Sequence, residues 1–203
     1  AREMLRFGTA PINICDAFQK LHIRGLSDQD MNDGNFFINP RNGDVLICDN
    51  DNVFPEGEVS GILGKARYMA PEVVTGKAKP DKYTDRFSLS VVLFLLFYAN
   101  HPLEGSRVLA CPCMTEKFEK QFYGSEPIFI YDEKKNVNRP VRGVHNNVLK
   151  RRMAFPAVFR DTFKHGFKQN ALGTFGDGFG CRYNFYSVLA KNIFVVRRVN
   201  TVA

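Results

Sequence analysis

Apolar positions along the chain change from helical spacing to strand spacing within the first 50 residues. Helical spacing continues from Ile12 through residues 16–22 (DAFQKLH) and ends at Gly25. Two apolar segments follow at 35–39 (NFFIN) and 44–49 (DVLICD), separated by the turn sequence PRNG. An Asn-Gly pair favours positive φ in such a turn, so the spacing predicts two strands joined as a β-hairpin.

Downstream of the hairpin, the pattern predicts mostly helices. Residues 85–98 are apolar on nearly every side, which is typical of a central, buried helix. Pro71 is placed to begin a short helix. The other segments predicted from the pattern are a loop at 50–64, a connector at 101–112, a helix at 115–122, an irregular stretch at 124–142 and helical structure around Pro156 at 148–167.

The apolar segments are too short for a membrane span. The longest, VVLFLLFYA at 91–99, has about half of the roughly 18 residues that a span needs. Residues 1–18 also lack the basic start and apolar centre of a secretory signal. The chain does not begin with Met, and we expect a fragment of a longer protein.

Five scattered cysteines favour free thiols and a reducing, cytoplasmic location, because the count is odd and Cys48 lies within an apolar strand. The sequence CPC at 111–113 has the form of half a metal site. No second pair of Cys or His residues has ligand spacing, so a turn with two small thiols is the preferred interpretation.

Charge is unevenly distributed along this chain of net charge +7. Residues 1–133 carry 14 basic and 19 acidic residues, whereas residues 134–203 carry 14 basic and 2 acidic residues. A basic block of this kind is typical of a surface for nucleic acid or another anionic partner. No nucleic-acid motif accompanies it, so the sequence favours a solvated basic face and does not favour nucleic-acid binding.

The acidic residues gather around the predicted hairpin, with six of them between Ser27 and Asp51. A hairpin brings its two ends together, so Asp30, Asn35 and Asp49 are expected to converge at one mouth. A carboxylate beside a bound hydroxyl accepts its proton, and amide and carboxylate oxygens bind Mg²⁺. Polar capping of the hairpin mouth is the alternative interpretation, because the spacing D-x4-N alone occurs in many loops.

Two later motifs favour the chemical interpretation: GKARYMAPEVV at 64–74 and DRFSLSVVLFLLFYANHPLEG at 85–105. Together with two earlier segments, these motifs make the chain resemble the protein kinase family. SDQDMNDGN stands where the family has its catalytic loop, H-R-D-x-x-x-x-N, and CDND stands where the family has the metal-binding motif D-F-G. The resemblance runs over residues 12–167. It implies a mainly α fold with a small β-hairpin, the C-terminal lobe of a kinase without its N-terminal lobe. The composition changes after that region, and residues 168–203 are expected to form an atypical tail, disordered or frameshifted.

The resemblance also implies roles for individual residues, with ATP and Mg²⁺ as cofactors and a protein as substrate. Asp85, at the start of the central helix, is expected to bind the backbone of the catalytic loop. The implied site consists of Asp30 as catalytic base, Asn35 and Asp49 as metal ligands that also bind the nucleotide, and Phe37 as the floor under the adenine.

Several positions depart from the family pattern. Asp28-Gln29 replaces His-Arg before the base, and the loss of this Arg predicts that no phosphorylated activation loop is recognised there. Asn32 stands where Ser/Thr kinases have a Lys, and Lys65 stands where they usually have Thr. We hypothesise that Lys65 supplies the missing positive charge. These departures are more typical of bacterial or phage kinases than of eukaryotic ones.

The first functional prediction is therefore a Ser/Thr protein kinase-like phosphotransferase that moves the γ-phosphate of ATP to a protein hydroxyl. A Gly-rich loop and a strand Lys are expected on an N-terminal lobe of a longer parent chain, since about ten residues precede the resemblance. The alternative is a truncated kinase or pseudokinase remnant that acts as a non-catalytic protein-binding module. A small-molecule kinase of the aminoglycoside type is disfavoured by the motif YMAPE at 68–72. A circularly permuted kinase, with its Gly-rich loop and Lys in 172–191, is disfavoured because too few residues follow Lys191 to build the rest of an N-terminal lobe.

Overall fold

The computed structural model describes residues 9–59, 61, 64–154, 161, 163 and 167. These residues form helices and two small antiparallel sheets of two strands each. The elements are α1 (Ala10–Ile23), β1 (Leu26–Asp28), β2 (Phe36–Ile38), β3 (Val45–Ile47), β4 (Val53–Pro55), α2 (Pro71–Val74), α3 (Lys82–Tyr98), α4 (Ser106–Leu109), α5 (Glu116–Glu119) and α6 (Asn146–Ala154), with short 3₁₀ turns at Asp33–Asn35, Asn50–Asn52 and Asn136–Asn138.

Helix α1 confirms the helix predicted at 16–22 and extends it back to Ala10. Pro11 lies in the first turn, where its fixed φ suits a helix and its missing N–H is not needed. The helix buries Ile14 and Phe18 against the core. It ends before Gly25, whose φ of 72° lies in the left-handed region that glycine adopts readily.

Strands β2 and β3 confirm the predicted hairpin, with Phe36 opposite Ile47 and Ile38 opposite Val45. The loop predicted at 50–64 is wrong over its first residues, because β4 lies there. Strand β4 pairs antiparallel with β1, and this register places Asp28 opposite Val53.

Helix α3 confirms the predicted central helix but begins three residues before the predicted start. Asp81 caps it, since its side chain accepts hydrogen bonds from the backbone N–H groups of Tyr83 and Thr84. The Thr84 hydroxyl in turn accepts a hydrogen bond from the Asp81 N–H, which completes a capping box.

The helices after α3 are short. The predicted connector at 101–112 contains α4, and the helix predicted at 115–122 is α5 followed by a π-helical turn at Lys120–Ser125. Helix α6 confirms helical structure at the start of the segment predicted at 148–167. The remainder of that segment lies largely outside the described residues, and the predicted tail at 168–203 lies entirely outside them.

One hydrophobic core surrounds α3. Phe94 stacks on Tyr98 with ring centroids 4.3 Å apart, and Phe129 and Phe163 contact it edge to face. Burial of such rings is a large favourable contribution to folding. Over the residues that the structure describes, no helix combines the length and apolarity that crossing a membrane requires.

Candidate functional site

The predicted site residues Asp30, Asn35 and Asp49 lie next to the ends of three strands. Asp30 lies two residues beyond β1, Asn35 immediately precedes β2, and Asp49 lies two residues beyond β3. The Cys48 N–H donates to the Asn35 carbonyl at 2.9 Å, which continues the β2–β3 pairing to the residue next to Asp49. The Gln29 N–H donates to the carbonyl of Asn52 at 3.0 Å and holds the start of the acidic loop (residues 27–35) beside β4.

Side-chain amides fix the conformation of the acidic loop around Asp30. The Asn35 Nδ2 donates to the Asp30 carbonyl at 3.1 Å, and the Asn32 Nδ2 donates to the same carbonyl at 3.0 Å. The Asn32 Oδ1 accepts the Gly34 N–H at 3.1 Å. Within the described part of the chain, the Asn35 side-chain oxygen accepts no hydrogen bond, so it is available to an outside ligand.

Asp49 has φ 60° and ψ 52°, the left-handed conformation, at the point where the chain leaves β3 for a 3₁₀ turn. Non-glycine residues adopt this region at a cost, although Asp tolerates it better than most. Backbone strain of this kind is concentrated at functional sites. On the neighbouring hairpin, Phe37 lies opposite Leu46, and these side chains are 60% and 63% exposed.

Asp28 is a buried carboxylate near other acidic side chains of the site. Burial raises its pKa to about 7, against the effect of a hydrogen bond that its Oδ1 accepts from the Asp30 N–H. The negative charges of Asp85, Asp30 and Asp49 raise it further. Neighbouring negative charges disfavour the ionised form of a carboxyl group, and a bound cation would favour it.

Mg²⁺ fits this site by the chemistry of its donors. It prefers oxygen ligands in octahedral geometry and usually keeps several waters. Among the described residues, no three His, Cys, Asp or Glu side chains are grouped closely enough to hold a metal ion by themselves. The oxygen donors that the expected site offers are the Asn35 amide and the Asp49 carboxylate, and water would complete the coordination of a bound Mg²⁺.

Asp85 connects the central helix to the acidic loop, as expected. Its Oδ2 accepts the backbone N–H of Asp28 at 2.8 Å and the Nε2–H of His22 at 2.9 Å. Burial lowers the pKa of His22 to about 4, so the imidazole is a neutral donor at pH 7. Burial likewise raises the pKa of Asp85 well above its ordinary value.

Gly64 brings the 64–72 segment against the predicted base. Its N–H donates to the Gln29 carbonyl at 3.1 Å. A Cβ at this position would lie 2.7 Å from the Asp30 Oδ1, so only glycine fits without displacement. Lys65 follows directly and is exposed.

Two further contacts hold the same segment in place. The Tyr68 hydroxyl donates to the Asp33 Oδ1 at 2.6 Å, which joins the segment to the acidic loop. The buried His101 lies behind it, with its Nε2–H donating to the Arg67 carbonyl at 2.7 Å and its Nδ1 accepting the Leu103 N–H. Burial lowers the pKa of His101 to about 4, in agreement with this neutral tautomer.

Sequence reasoning missed His22, Gly64 and Tyr68. Gly64 and Tyr68 could have been found from their position in the motif GKARYMAPE, which also contains Lys65. His22 gives no such signal, because an isolated His near the end of an amphipathic helix is compatible with many environments.

Comparison with known protein sequences places this chain in a family. The sequence model of the protein kinase domain matches residues 7–166. The chain is 30% identical over 106 residues to serine/threonine-protein kinase Pkn1 of Myxococcus xanthus, covering 48% of this chain and 15% of that protein. It is 28% identical over 106 residues to the probable serine/threonine-protein kinase PknB of Corynebacterium glutamicum, covering 49% and 16%. It is also 28% identical over 92 residues to human serine/threonine-protein kinase 40, covering 43% and 21%. The chain thus matches only about a sixth to a fifth of the length of these relatives.

Proposed function

Because this chain belongs to the protein kinase family, we propose that it carries the catalytic loop of a Ser/Thr protein kinase-like phosphotransferase. The reaction moves the γ-phosphate of ATP to a hydroxyl group of a protein substrate. Residues 12–167 are proposed to be the C-terminal lobe, which in this family acts together with an N-terminal lobe. The observation that carries the proposal is the hydrogen-bonded pair of Asp30 and Asn35 beside the strand end that holds Asp49.

Asp30 is proposed as the catalytic base. Its backbone carbonyl is held by two side-chain amides, and Gly64 packs against its carboxylate, so its position is fixed before substrate binds. In the proposed step, the substrate O–H gives its proton to the Asp30 carboxylate while the hydroxyl oxygen bonds to the γ-phosphorus. The bond from that phosphorus to the bridging oxygen breaks, and ADP leaves.

Asn35 and Asp49 are proposed as the metal ligands. Asn35 uses its amide nitrogen on the Asp30 carbonyl, which orients its oxygen away from that contact. Bound Mg²⁺ would supply neutralisation of the phosphate charges. The exposed ring of Phe37 is proposed to lie under the adenine, where its burial would favour binding.

Lys65 is proposed to supply positive charge beside Asp30, since Asn32 replaces the lysine that Ser/Thr kinases have in the catalytic loop. The support is the packing of Gly64 against the Asp30 carboxylate, which brings the next residue close to the base. A Lys65→Ala chain that kept full phosphotransfer activity, when paired with its N-terminal lobe, would contradict this role.

Equilibrium titration of the chain with ATP, with and without Mg²⁺, tests the proposal. We expect binding that requires Mg²⁺. Asp49→Asn should weaken it by about tenfold or more, since the change replaces a charged oxygen ligand of the metal with a neutral one. Asp44→Asn is the matched control, because Asp44 is exposed at the turn end of the same hairpin, opposite the end where Asn35 and Asp49 lie. Absence of Mg-ATP binding, both here and in a longer parent chain, would overturn the enzyme proposal and favour a non-catalytic module.

A further inference from the structure

Two free cysteines flank a single proline in the short segment between α4 and α5. Cys111 follows the end of α4, where its N–H donates to the Val108 carbonyl at 3.0 Å. The chain then bends at Pro112 and Cys113 before α5 begins at Glu116. This cysteine pair takes no part in the phosphotransfer chemistry proposed above.

The two thiols have different surroundings. Cys113 is exposed, whereas Cys111 is half-buried. The Cys111 S–H donates to the Cys113 carbonyl at 3.2 Å, so the Cys111 sulfur lies against the backbone of the other cysteine. In the described part of the chain, the Cys113 sulfur makes no hydrogen bond. A small oxidant from solvent therefore reaches Cys113 first, because cysteine reactivity depends on access to the sulfur.

The backbone places the two cysteines within reach of a disulfide. The Cα atoms of residues two positions apart are separated by at most about 7 Å, and a bend shortens this distance. Disulfides usually join cysteines whose Cα atoms are about 4.4–6.8 Å apart. Rotation of the exposed Cys113 side chain towards Cys111 is then enough to bring the sulfurs together.

The other cysteines that the structure describes lack this combination of access and a neighbouring thiol. Cys15 is 2% exposed on α1, and burial raises the pKa of its thiol well above the ordinary value. Burial of this kind disfavours the thiolate, which is the reactive form. Cys48 is half-buried just after β3, and no second cysteine lies close to it in the sequence.

We propose that the turn Cys111–Cys113 is a modification site for hydrogen peroxide, at which Cys113 is oxidised first and Cys111 then closes a disulfide. Accessible cysteines with a second thiol beside them are typical of redox-sensitive sites. The product covalently joins the end of α4 to the segment that leads into α5. Because the disulfide is exposed, it belongs to the class that thiols reduce readily.

The proposed reaction has two steps. In the first, the Cys113 thiolate attacks one oxygen of the peroxide, the O–O bond breaks, and the released hydroxide takes up the thiol proton as water. Cys113 is then a sulfenic acid. In the second step, the Cys111 thiolate attacks that sulfur, the S–O bond breaks, and the leaving hydroxide takes up the Cys111 proton as water. The two sulfurs lose two electrons in total, and the peroxide gains them.

Peptide mass spectrometry of the full chain tests the site. The reduced chain is treated with hydrogen peroxide, its remaining thiols are alkylated, and trypsin cleaves after Arg107 and Lys117 to release residues 108–117. This peptide contains Cys111, Cys113 and no other cysteine. We expect it to lose two hydrogen atoms and to carry no alkyl group, and dithiothreitol should restore both thiols. Oxidation of Met114 differs, because it adds an oxygen atom that dithiothreitol does not remove.

Serine variants test the order of the two steps, with dimedone as the label for sulfenic acid. Cys111→Ser should accumulate the label at Cys113, since no thiol is left to displace it. Cys113→Ser should carry several-fold less label at Cys111, because that thiol is less accessible. In urea this difference should disappear, since both thiols are then exposed. Cys48→Ser is the control and should form the same disulfide as the unmodified chain.

Any of four outcomes would overturn the proposal. They are equal dimedone labelling of the two folded variants, a disulfide from either cysteine to Cys48, Cys181 or a second chain, oxidation of Met114 alone, and loss of the disulfide in Cys48→Ser. The substituted side chains lie at the surface or half-buried in a short connecting segment, so the serine variants are expected to fold. Circular dichroism of each variant checks this before oxidation.

Discussion

At the scale of single residues, the hydroxyl of Tyr68 joins two segments that are far apart in the sequence. Tyr68 is 3% exposed, and its hydroxyl donates to the Asp33 carboxylate. Burial, followed by this hydrogen bond, raises its pKa to about 12, so the phenol stays protonated and remains a donor. The bond fixes the position of the 64–72 segment relative to the acidic loop.

Tyr68→Phe should therefore lower the free energy of unfolding by about 1–2 kcal/mol, the range for a hydrogen bond to a charged group that is part-exposed. Urea unfolding of this variant, of Asp33→Asn and of the double variant gives the coupling between the two side chains. We expect a coupling of about 1 kcal/mol. Tyr83→Phe is the control, because the Tyr83 ring contacts Lys82 and Arg86 but no hydrogen bond of its hydroxyl is seen in the described structure. Additive losses from the two single variants would show that the bond does not form in solution.

At the scale of elements, the start of α3 depends on one side chain. Asp81 accepts the backbone N–H groups of Tyr83 and Thr84, at 2.8 and 2.9 Å, and thereby satisfies two donors that have no partner within the helix. Because α3 is the centre of the core, fraying at this end would affect the whole chain.

Asp81→Ala is expected to lower the free energy of unfolding by about 1–2 kcal/mol, as for other N-cap residues. Asp81→Asn is the matched control, since Asn is a comparably good N-cap and should lose only a few tenths of a kcal/mol. Chemical denaturation followed by circular dichroism measures both. Equal losses in the two variants would mean that the charge of Asp81, rather than its capping geometry, stabilises the helix.

The elements also show what could be predicted from sequence. Helix α3 and the β2–β3 hairpin were predictable, because each has a local periodic signal and a turn or cap to bound it. Strand β4 was not, since three residues are too few to show alternation and its partner β1 lies 27 positions earlier, with Leu26 opposite Pro55. The helix start at Lys82 was missed because its polar first turn carries no apolar pattern.

The candidate site residues also separate into those that the sequence could predict and those that it could not. Asp30, Asn35 and Asp49 were found from spacing and from the motifs that follow them, and their roles stay predictions. The buried setting of Asp28 could not be predicted, because it depends on α1 packing over the acidic loop and on β4 lying beside β1. A carboxylate in a polar stretch of sequence gives no sign that it will be desolvated.

At the scale of the whole molecule, Asp85 holds three elements together through one oxygen atom. Its Oδ2 accepts a hydrogen bond from His22 on α1 and another from the backbone of Asp28 at the end of β1, while Asp85 itself lies on α3. All three residues are buried. Because both donors are buried, bulk water would not readily replace Asp85 as their acceptor. This network therefore links the core to the loop that carries the proposed base.

Asp85→Ala should consequently be the most destabilising of these changes. Each buried donor left without an acceptor costs about 1–3 kcal/mol, which predicts a loss of roughly 3 kcal/mol or more in the free energy of unfolding. Asp85→Asn keeps an acceptor oxygen and should lose less than half as much. Ser90→Ala is the control, because Ser90 is equally buried on α3 but its hydroxyl donates only within the helix, to the Arg86 carbonyl.

Hydrogen exchange at the Asp28 amide distinguishes a lost link from a general loss of stability. In Asp85→Ala this amide should exchange faster than the amides within α3, because its acceptor is gone while the helix remains. In Ser90→Ala it should stay as protected as in the unmodified chain. If Asp85→Ala costs no more than Ser90→Ala, or if the Asp28 amide exchanges no faster than α3, then other contacts hold the acidic loop on the core and the network through Asp85 is incidental.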